Sequence, residues 1–352
     1  MDSIKERYGF VGLGQMGGNE IKLVHSKYKY PVLAANSAIP DLNGLDLPDD
    51  CKYHILGGFG SSKERKRTKE LLADNDCQNF DLLINEIKER FKDCAVIFLV
   101  ASSGGGFGSG SLPSIKKRLN DETDKIICTV TCMPDDNASL KEYMNCYEFF
   151  SELESIDGRG TTFVIDNNKN KNKFTLNEQF ACYLDAFLNC ETESTQGVVD
   201  RAEIEDILAQ KGMCIINKYN SEIATTQTVI EKIRENIYTS LENDGVVSKI
   251  AIVHSNNKVR LSEIVESVGQ PLATYEGFGA DATILAIAGL SFSYSRLEEI
   301  KQRIDDNKEV IKRNLTATSE RRLTGSIDFL NEITTEKPKV EKKKSTRDML
   351  FM

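Results

Sequence analysis

The residues in this chain best suited to chemistry are glycines, gathered in three short runs. The densest lies in Ser102–Ser111, Ser-Ser-Gly-Gly-Gly-Phe-Gly-Ser-Gly-Ser, with Gly104, Gly105, Gly106, Gly108 and Gly110 around Phe107 and Ser109. It follows an apolar run, Cys94–Ala101, that reads as a fully buried parallel strand. It precedes Leu112–Leu119, which reads as a helix with Pro113 in its first turn, where a missing N–H costs nothing. At a strand-to-helix turn, residues without a Cβ let the backbone approach a bound group. The helix start then aims unpaired N–H donors and a positive dipole end at that group. The natural occupant is an anion, above all a phosphate chain; the bland alternative is a flexible turn.

The other two runs follow strands as well. Gly12-Leu-Gly14-Gln15-Met16-Gly17, after a strand at 8–13 and before a helix reaching about His25, fits the GxGxxG dinucleotide fingerprint. That fingerprint needs an acidic residue about 20 positions on to hold the ribose, and Asn36 stands there instead. Gly57-Gly58-Phe-Gly60-Ser61 follows a short strand at His54. Three glycine loops converging on one edge of a sheet offer more backbone donors than a diphosphate needs and suit a triphosphate. No GxxxxGK[ST] loop is present, which excludes a P-loop enzyme. A nicotinamide-dependent dehydrogenase stays open as a reading of the first loop alone.

The elements that must position these loops alternate between strand and helix, which predicts an α/β chain with a parallel sheet covered on both faces. Phe80, Leu83, Ile84, Ile87 and Phe91 keep helical spacing before the central strand. Strands are expected at Ile126–Cys132 and Thr161–Ile165, with a helix at 139–155 between them. A largely buried helix from Phe174 through Leu188 follows the polar loop at 166–173. The second half reads as a separate, smaller α/β domain. It has helices at 201–211 and 226–241 and strands at 213–217, 246–254, 271–275 and 282–292. The predicted divisions are 1–173, a central helix at 174–195, a second domain at 196–296, a C-terminal helix at 297–316 and a tail at 317–352.

Composition narrows the class. The 352 residues carry a net charge of −9, 40% apolar and 28% charged residues, so a soluble protein not built to coat nucleic acid is expected. Nine scattered cysteines without a CxxC pair read as small core residues, and three distant histidines exclude a zinc site or a histidine triad. With no signal peptide and no apolar run of about 18 residues, a cytoplasmic protein without a membrane span is expected. Residues 321–352 hold eight Lys/Arg against five Asp/Glu and cannot bury a core.

The loops resemble the tubulin/FtsZ superfamily over roughly residues 8–320. Gly104–Gly110 looks like the family's GGGTGSG loop with Phe107 in the threonine position. Gly14-Gln15-Met16-Gly17 is similar to the first phosphate loop of tubulins, and Gly18-Asn19 to that of FtsZ. Asn36-Ser37 and Gly57–Ser61, which includes Gly58, look like the second and third loops. Ile165-Asp166-Asn167 resembles a guanine-reading segment, and Phe174 and Asn177 fall where ring stacking and a second guanine contact would be. Val199-Asp200-Arg-Ala-Glu203 resembles the loop whose two carboxylates complete the next subunit's active site, although the family's asparagine two positions before Asp200 is Val198 here. Two carboxylates three apart at a helix start lie on one side and can orient a water; Asp200 is equally a residue type that caps a helix, and the two roles are compatible.

The resemblance is nearest to the TubZ group and implies GTP and GDP binding, Mg²⁺ held mainly by phosphates and water, and hydrolysis coupled to head-to-tail assembly. It further implies plasmid or phage DNA segregation, with the tail docking a DNA-bound adaptor of the TubR type and no direct sequence-specific DNA binding. A relative that binds nucleotide without hydrolysing it is the other alternative.

Overall fold

Tyr8–Leu13 (β1), Val32–Asn36 (β2) and Ile126–Met133 (β5) are buried at every position, and Val96–Ser102 (β4) at all but its last. Apolar runs without polar alternation need cover on both faces, which parallel strands receive from their crossover helices. In the computed structural model, which describes residues 4–316, these strands join Lys52–His54 (β3) and Thr162–Asp166 (β6) in one parallel array ordered β3-β2-β1-β4-β5-β6. The sheet continues through Met213–Asn220 (β7), Ala282–Leu290 (β10), Lys249–His254 (β8) and Ala273–Phe278 (β9), in that spatial order. β10 runs antiparallel to both β7 and β8. The two halves therefore share one ten-stranded sheet, joined between β6 and β7 by the single register pair Thr162–Met213.

Helices Gly14–Tyr28 (α1), Ile39–Asn43 (α2), Arg65–Arg90 (α3), Phe107–Glu122 (α4) and Leu140–Glu154 (α5) fill the crossovers of the parallel half. Lys173–Leu188 (α6) leads to Arg201–Leu208 (α7), and Thr226–Arg234 (α8), Leu261–Val268 (α9) and Tyr294–Asp306 (α10) serve the second half. Aromatic rings tie the layers together. Phe10 stacks on Phe98 at 4.6 Å, and Phe163 meets Phe180 of α6 at 5.4 Å. A second unit begins at Asn307 and contributes Lys308–Thr316 (α11).

Several expected boundaries move. α4 starts at Phe107, inside the glycine run, so Pro113 is interior to the helix rather than in its first turn. α6 ends at Leu188, and residues 189–195 are not helical. α8 stops at Arg234, where Asn236 Nδ2 donates to the Ile233 carbonyl and Oδ1 accepts the Tyr238 N–H. The chain then pairs with β6, through Asp166 N–H to Ile237 O and Thr239 N–H to Val164 O. Ile237 keeps its helical spacing but is buried by strand-like pairing. The single helix expected at 297–316 is two, with Asn307 outside both. The tail lies outside the described residues. No helix among the described residues is long and apolar enough to cross a membrane.

Two ionisable groups are fully enclosed. Lys116 donates to Ile127 O at 2.6 Å, Gly160 O at 3.0 Å and Thr129 Oγ1 at 3.3 Å, so all three ammonium hydrogens have acceptors. Glu20, on the buried face of α1, has neither carboxyl oxygen hydrogen-bonded, and burial pushes its carboxyl up to about 8. Between pH 4.5 and 8 the unfolded chain gives up a proton that the folded chain keeps, so this group removes stability as pH rises through that window. Glu20→Gln is expected to stabilise the fold by about 2–4 kcal/mol at pH 8 and to change little near pH 4.5, measured by denaturant unfolding at both pH values.

Candidate functional site

The C-terminal ends of β1, β2, β3 and β4 open onto one cavity of about 450 Å³. The β1–α1 turn contributes Leu13, Gly14, Gln15 and Met16. The chain after β2 adds Asn36, Ala38 and Asp41; the chain after β3 adds Gly60 through Lys63. The β4–α4 turn contributes Ser102 and Gly105 through Gly108, and Glu142 of α5 closes one side. Neither α1 nor α4 has a side chain capping its N-terminus. In α4 the first helical bond is donated by Gly110 to Gly106 O, so the earlier N–H groups stay free for a ligand. Two uncapped helix starts meeting at one cavity make an anion site.

Glycine is needed here for contact more than for flexibility. A Cβ on Gly108 would overlap the Leu13 carbonyl oxygen, and one on Gly106 would overlap Ser61 Oγ and crowd Lys63 Cα. Gly14 sits at φ 76°, a left-handed conformation that lets β1 turn directly into α1. Asn145, buried on α5, locks two loops to each other. Its Nδ2 donates to Lys63 O at 2.9 Å, Gly104 O at 3.1 Å and Gly105 O at 2.9 Å. Arg65 secures Asn145 from behind, donating from Nη1 to its carbonyl at 2.9 Å and pairing with Glu152 at 2.7 Å.

The charged groups at the cavity are Asp41, Glu142 and Lys63. Asn36 Nδ2 donates to Asp41 Oδ2 at 3.0 Å. Burial pushes the Glu142 carboxyl up, but the Ser139 hydroxyl and N–H and the Lys63 ammonium, 3.0 Å away, together hold it below the usual range. No group of three or more His, Cys, Asp or Glu converges among the described residues. One or two carboxylates beside a phosphate site fit a Mg²⁺ held chiefly by phosphate oxygens and water.

Of the residues expected from sequence, Gly14, Gln15, Met16, Asn36, Gly105, Gly106, Phe107 and Gly108 line this cavity. Gly17 and Gly110 stand back from it: a Cβ on Gly17 would overlap Val100 O, and one on Gly110 would crowd Arg65 O. Gly104 gives its carbonyl to Asn145, and Ser109 Oγ donates to Gly105 O at 2.5 Å. Gly58 lines a separate 310 Å³ cavity behind its loop. Asn19, Asn167, Phe174 and Asn177 lie outside the cavity lining; Phe174 is two-thirds exposed on the first turn of α6. Lys63, Glu142 and Asp41 were not foreseen. The run of Ser62 and Lys63 after a glycine loop was the available signal.

Asp200 and Glu203 form a reciprocal cap on α7. Asp200 Oδ1 accepts the Glu203 N–H at 3.0 Å, and Glu203 Oε2 accepts the Asp200 N–H at 3.0 Å. The cap and the carboxylate pair are thus the same object. The pair does not face the cavity. On the same helix Glu205 is paired with Arg7, immediately before β1, at 2.6 Å. The cavity lies past the other end of that six-residue strand, about 20 Å away. α6 bridges the two edges: Lys173 pairs with Asp135 just beyond β5, and Asp185 accepts from Tyr30 just ahead of β2.

Residues 64–174 match the Tubulin/FtsZ family GTPase domain. Over 323 residues, 90% of this chain and 88% of the relative, the sequence is 25% identical to the tubulin-like protein TubZ of a Clostridium botulinum C phage. A solved structure of tail-truncated Clostridium botulinum phage c-st TubZ superposes with a TM-score of 0.78 at 24% identity, covering 87% of this chain and 99% of that one. A GTPγS-form protofilament of Bacillus thuringiensis serovar israelensis TubZ gives 0.70 at 18% identity, with 88% and 94% covered. With Asn36 committed to Asp41 where a dinucleotide site needs an acid, these matches remove the dehydrogenase alternative.

Asn145→Asp replaces a donor that serves three carbonyls with an acceptor that repels them. It is expected to cost about 3 kcal/mol of stability and at least tenfold in guanine-nucleotide affinity, read by denaturant unfolding and by fluorescent-nucleotide titration.

Proposed function

We propose that this chain is a GTPase of the tubulin/FtsZ family, whose GTPase domain residues 64–174 match, and that it hydrolyses GTP where two copies meet head to tail. The observation that carries this is the opposition of the two half-sites, with the phosphate cavity at one edge of the sheet and the Asp200/Glu203 pair at the other. A single copy cannot bring them together across β1. A copy stacked on the next sets one copy's carboxylates over the other's cavity. Such a contact is heterologous and does not close, so it propagates as a filament.

The backbone N–H groups of the β1–α1 and β4–α4 turns bind the phosphates, preorganised and without a lysine-bearing P-loop. When bound, Mg²⁺ would neutralise phosphate charge, and Asp41 and Glu142 are the cavity carboxylates that would help hold it together with phosphate oxygens and water. Asp200 and Glu203 of the incoming copy orient the attacking water. We assign guanine reading to Asn167 and Asn177, with Phe174 stacking on the base; its exposed ring at the start of α6 favours this. Residues 1–173 then serve as the nucleotide-binding portion and 196–296 as the activating one. We further propose that the filament moves plasmid or phage DNA through a DNA-bound adaptor of the TubR type, docked by the basic segment 321–352. The net charge of +3 that this segment carries is the support for that assignment.

Asp200→Asn and Glu203→Gln keep residue types that sustain the reciprocal cap while removing charge. Each is expected to lower phosphate release by about 10²–10⁴-fold, with GTP-dependent light scattering retained. Wild-type release and scattering should share one threshold protein concentration; release linear in protein without scattering would sink the trans arrangement. Phe59, 89% exposed at the tip of the third glycine loop, is an apolar contact offered to the next copy. Phe59→Ser is expected to raise that threshold severalfold in the same assay.

A further inference from the structure

Two arginines of α10 reach across to the loop that follows β5. Arg296, which is largely buried, donates from Nη2 to Asp136 Oδ1 at 3.2 Å and to the Pro134 carbonyl at 3.4 Å. Arg303, farther along the same helix, donates from Nη2 to that Asp136 oxygen at 2.8 Å. Its Nη1 donates to the Asp136 carbonyl and to the Tyr143 hydroxyl oxygen, both at 3.2 Å. A third donor meets the same oxygen, Asn168 Nδ2 at 3.3 Å, while Asn168 Oδ1 accepts the Asp136 N–H at 2.9 Å. We propose that Arg296 and Arg303 are positioning residues for guanine recognition, fixing through Asp136 and Asn168 the turn that presents Asn167 to the base. This rests on the guanine reading assigned to Asn167 above and names the residues that hold it in place.

The turn closes on itself but does not set its own direction. Asp166 ends β6; its Oδ1 accepts the Asn168 N–H at 3.0 Å and its carbonyl accepts the Lys169 N–H at 3.0 Å. Those bonds fix the shape of 166–169 and leave its orientation to outside contacts. Two contacts with the β5 loop supply that orientation. One is the Asp136–Asn168 exchange, and the other is Lys173, immediately before Phe174, paired with Asp135 at 2.7 Å. Segment 166–174, with Asn167 inside it, is thus held at both ends by residues 135 and 136. Residue 136 is held in turn by α10.

The hub contributes direction more than binding energy. Burial pushes the Asp136 carboxyl up, but the bonds from Arg296 and Asn168 and the charges of both arginines hold it below the usual range. Half-exposed ion pairs of this kind add little stability. Two planar guanidinium groups from one helix converging on one oxygen nevertheless restrict where that oxygen can sit. Asp166 feels the same group: burial pushes its carboxyl up, and the Asn168 N–H and the Arg296 charge oppose the shift. Hydrogen bonds to a base edge weaken steeply when donor and acceptor move out of line, so a turn that wanders loses the base first. The β1–α1 and β4–α4 turns that take the phosphates make none of these contacts, so phosphate binding should not follow.

The test is competition against a fluorescent guanine nucleotide, using the full chain below its assembly threshold. The competitors are GDP, ADP, whose base presents a different edge, and inorganic tripolyphosphate, which has no base. Arg296→Gln is expected to weaken GDP by about tenfold while moving ADP and tripolyphosphate by less than about twofold. Arg303→Gln, at a more exposed position where substitution is tolerated, should give the same pattern with a loss of about threefold. Arg296→Lys should recover part of the GDP affinity. Glu299→Gln, which removes the other carboxylate partner of Arg296, should leave all three competitors unchanged. Equal losses for GDP and tripolyphosphate, or no loss of GDP in either arginine variant, would overturn the positioning role while leaving the guanine reading intact. If Asn167→Ala keeps the wild-type preference for GDP over ADP, the guanine reading fails and the proposal falls with it.

Discussion

Backbone approaching backbone without an intervening Cβ is the constraint on which the site depends. Gly17 lies against the Val100 carbonyl, Gly108 against that of Leu13, and Gly106 against Ser61 and Lys63. Through these contacts α1 settles onto β4, α4 onto β1, and the third loop onto the second helix start. A methyl group at any of them would push a helix N-terminus away from the common cavity. Glycine acts by its size at these contacts, and its conformational freedom is needed at Gly14 and, in the third loop, at Gly57 and Gly60. The polar complement is Asn145, whose two amide hydrogens are shared among the carbonyls of Lys63, Gly104 and Gly105 where these close approaches bring them together.

A second constraint follows from the parallel sheet. Parallel strands place all their loops of one kind at one edge, so a site made of four strand-to-helix turns cannot also include a group anchored at the opposite edge. α7 is anchored there by Arg7–Glu205 and by the backbone bond from Thr161 to Leu208. The phosphate cavity and the Asp200/Glu203 pair consequently lie at opposite edges of the sheet within each copy, as the proposed head-to-tail arrangement needs. α6, sixteen residues and about 24 Å long, connects the two edges and is bonded at both ends.

Much of this was legible in the sequence because it is local. Strand burial shows in unbroken apolar runs such as Val96–Ala101, and the loops show in their glycines. The amide of Asn36, where a dinucleotide site needs an acid, argues against a dinucleotide from the sequence alone. What escaped was set by tertiary contact. Ile237 keeps helical spacing with Val229 and Ile233, yet it is buried by pairing beside β6. Pro113 looked like a helix start because the glycines before it looked like loop, whereas packing against Leu13 and Arg65 winds Gly108 and Gly110 into α4. Lys63 and Glu142 lie 79 positions apart, and no local pattern joins them.

The reciprocal cap on α7 is made by the same two carboxylates that we propose for catalysis. Asp200 and Glu203 each bind a backbone N–H through one oxygen, and among the described residues no hydrogen bond occupies Asp200 Oδ2 or Glu203 Oε1. The oxygens used in the cap hold both carboxyl groups in place, which in the proposed arrangement leaves little ordering to be done at the neighbouring site. A cap made by serine or threonine would start the helix as well but would present no charge. Carboxylates at both cap positions start the helix and leave one oxygen each for the contact we propose with the neighbouring copy, so capping and the proposed catalytic role do not compete.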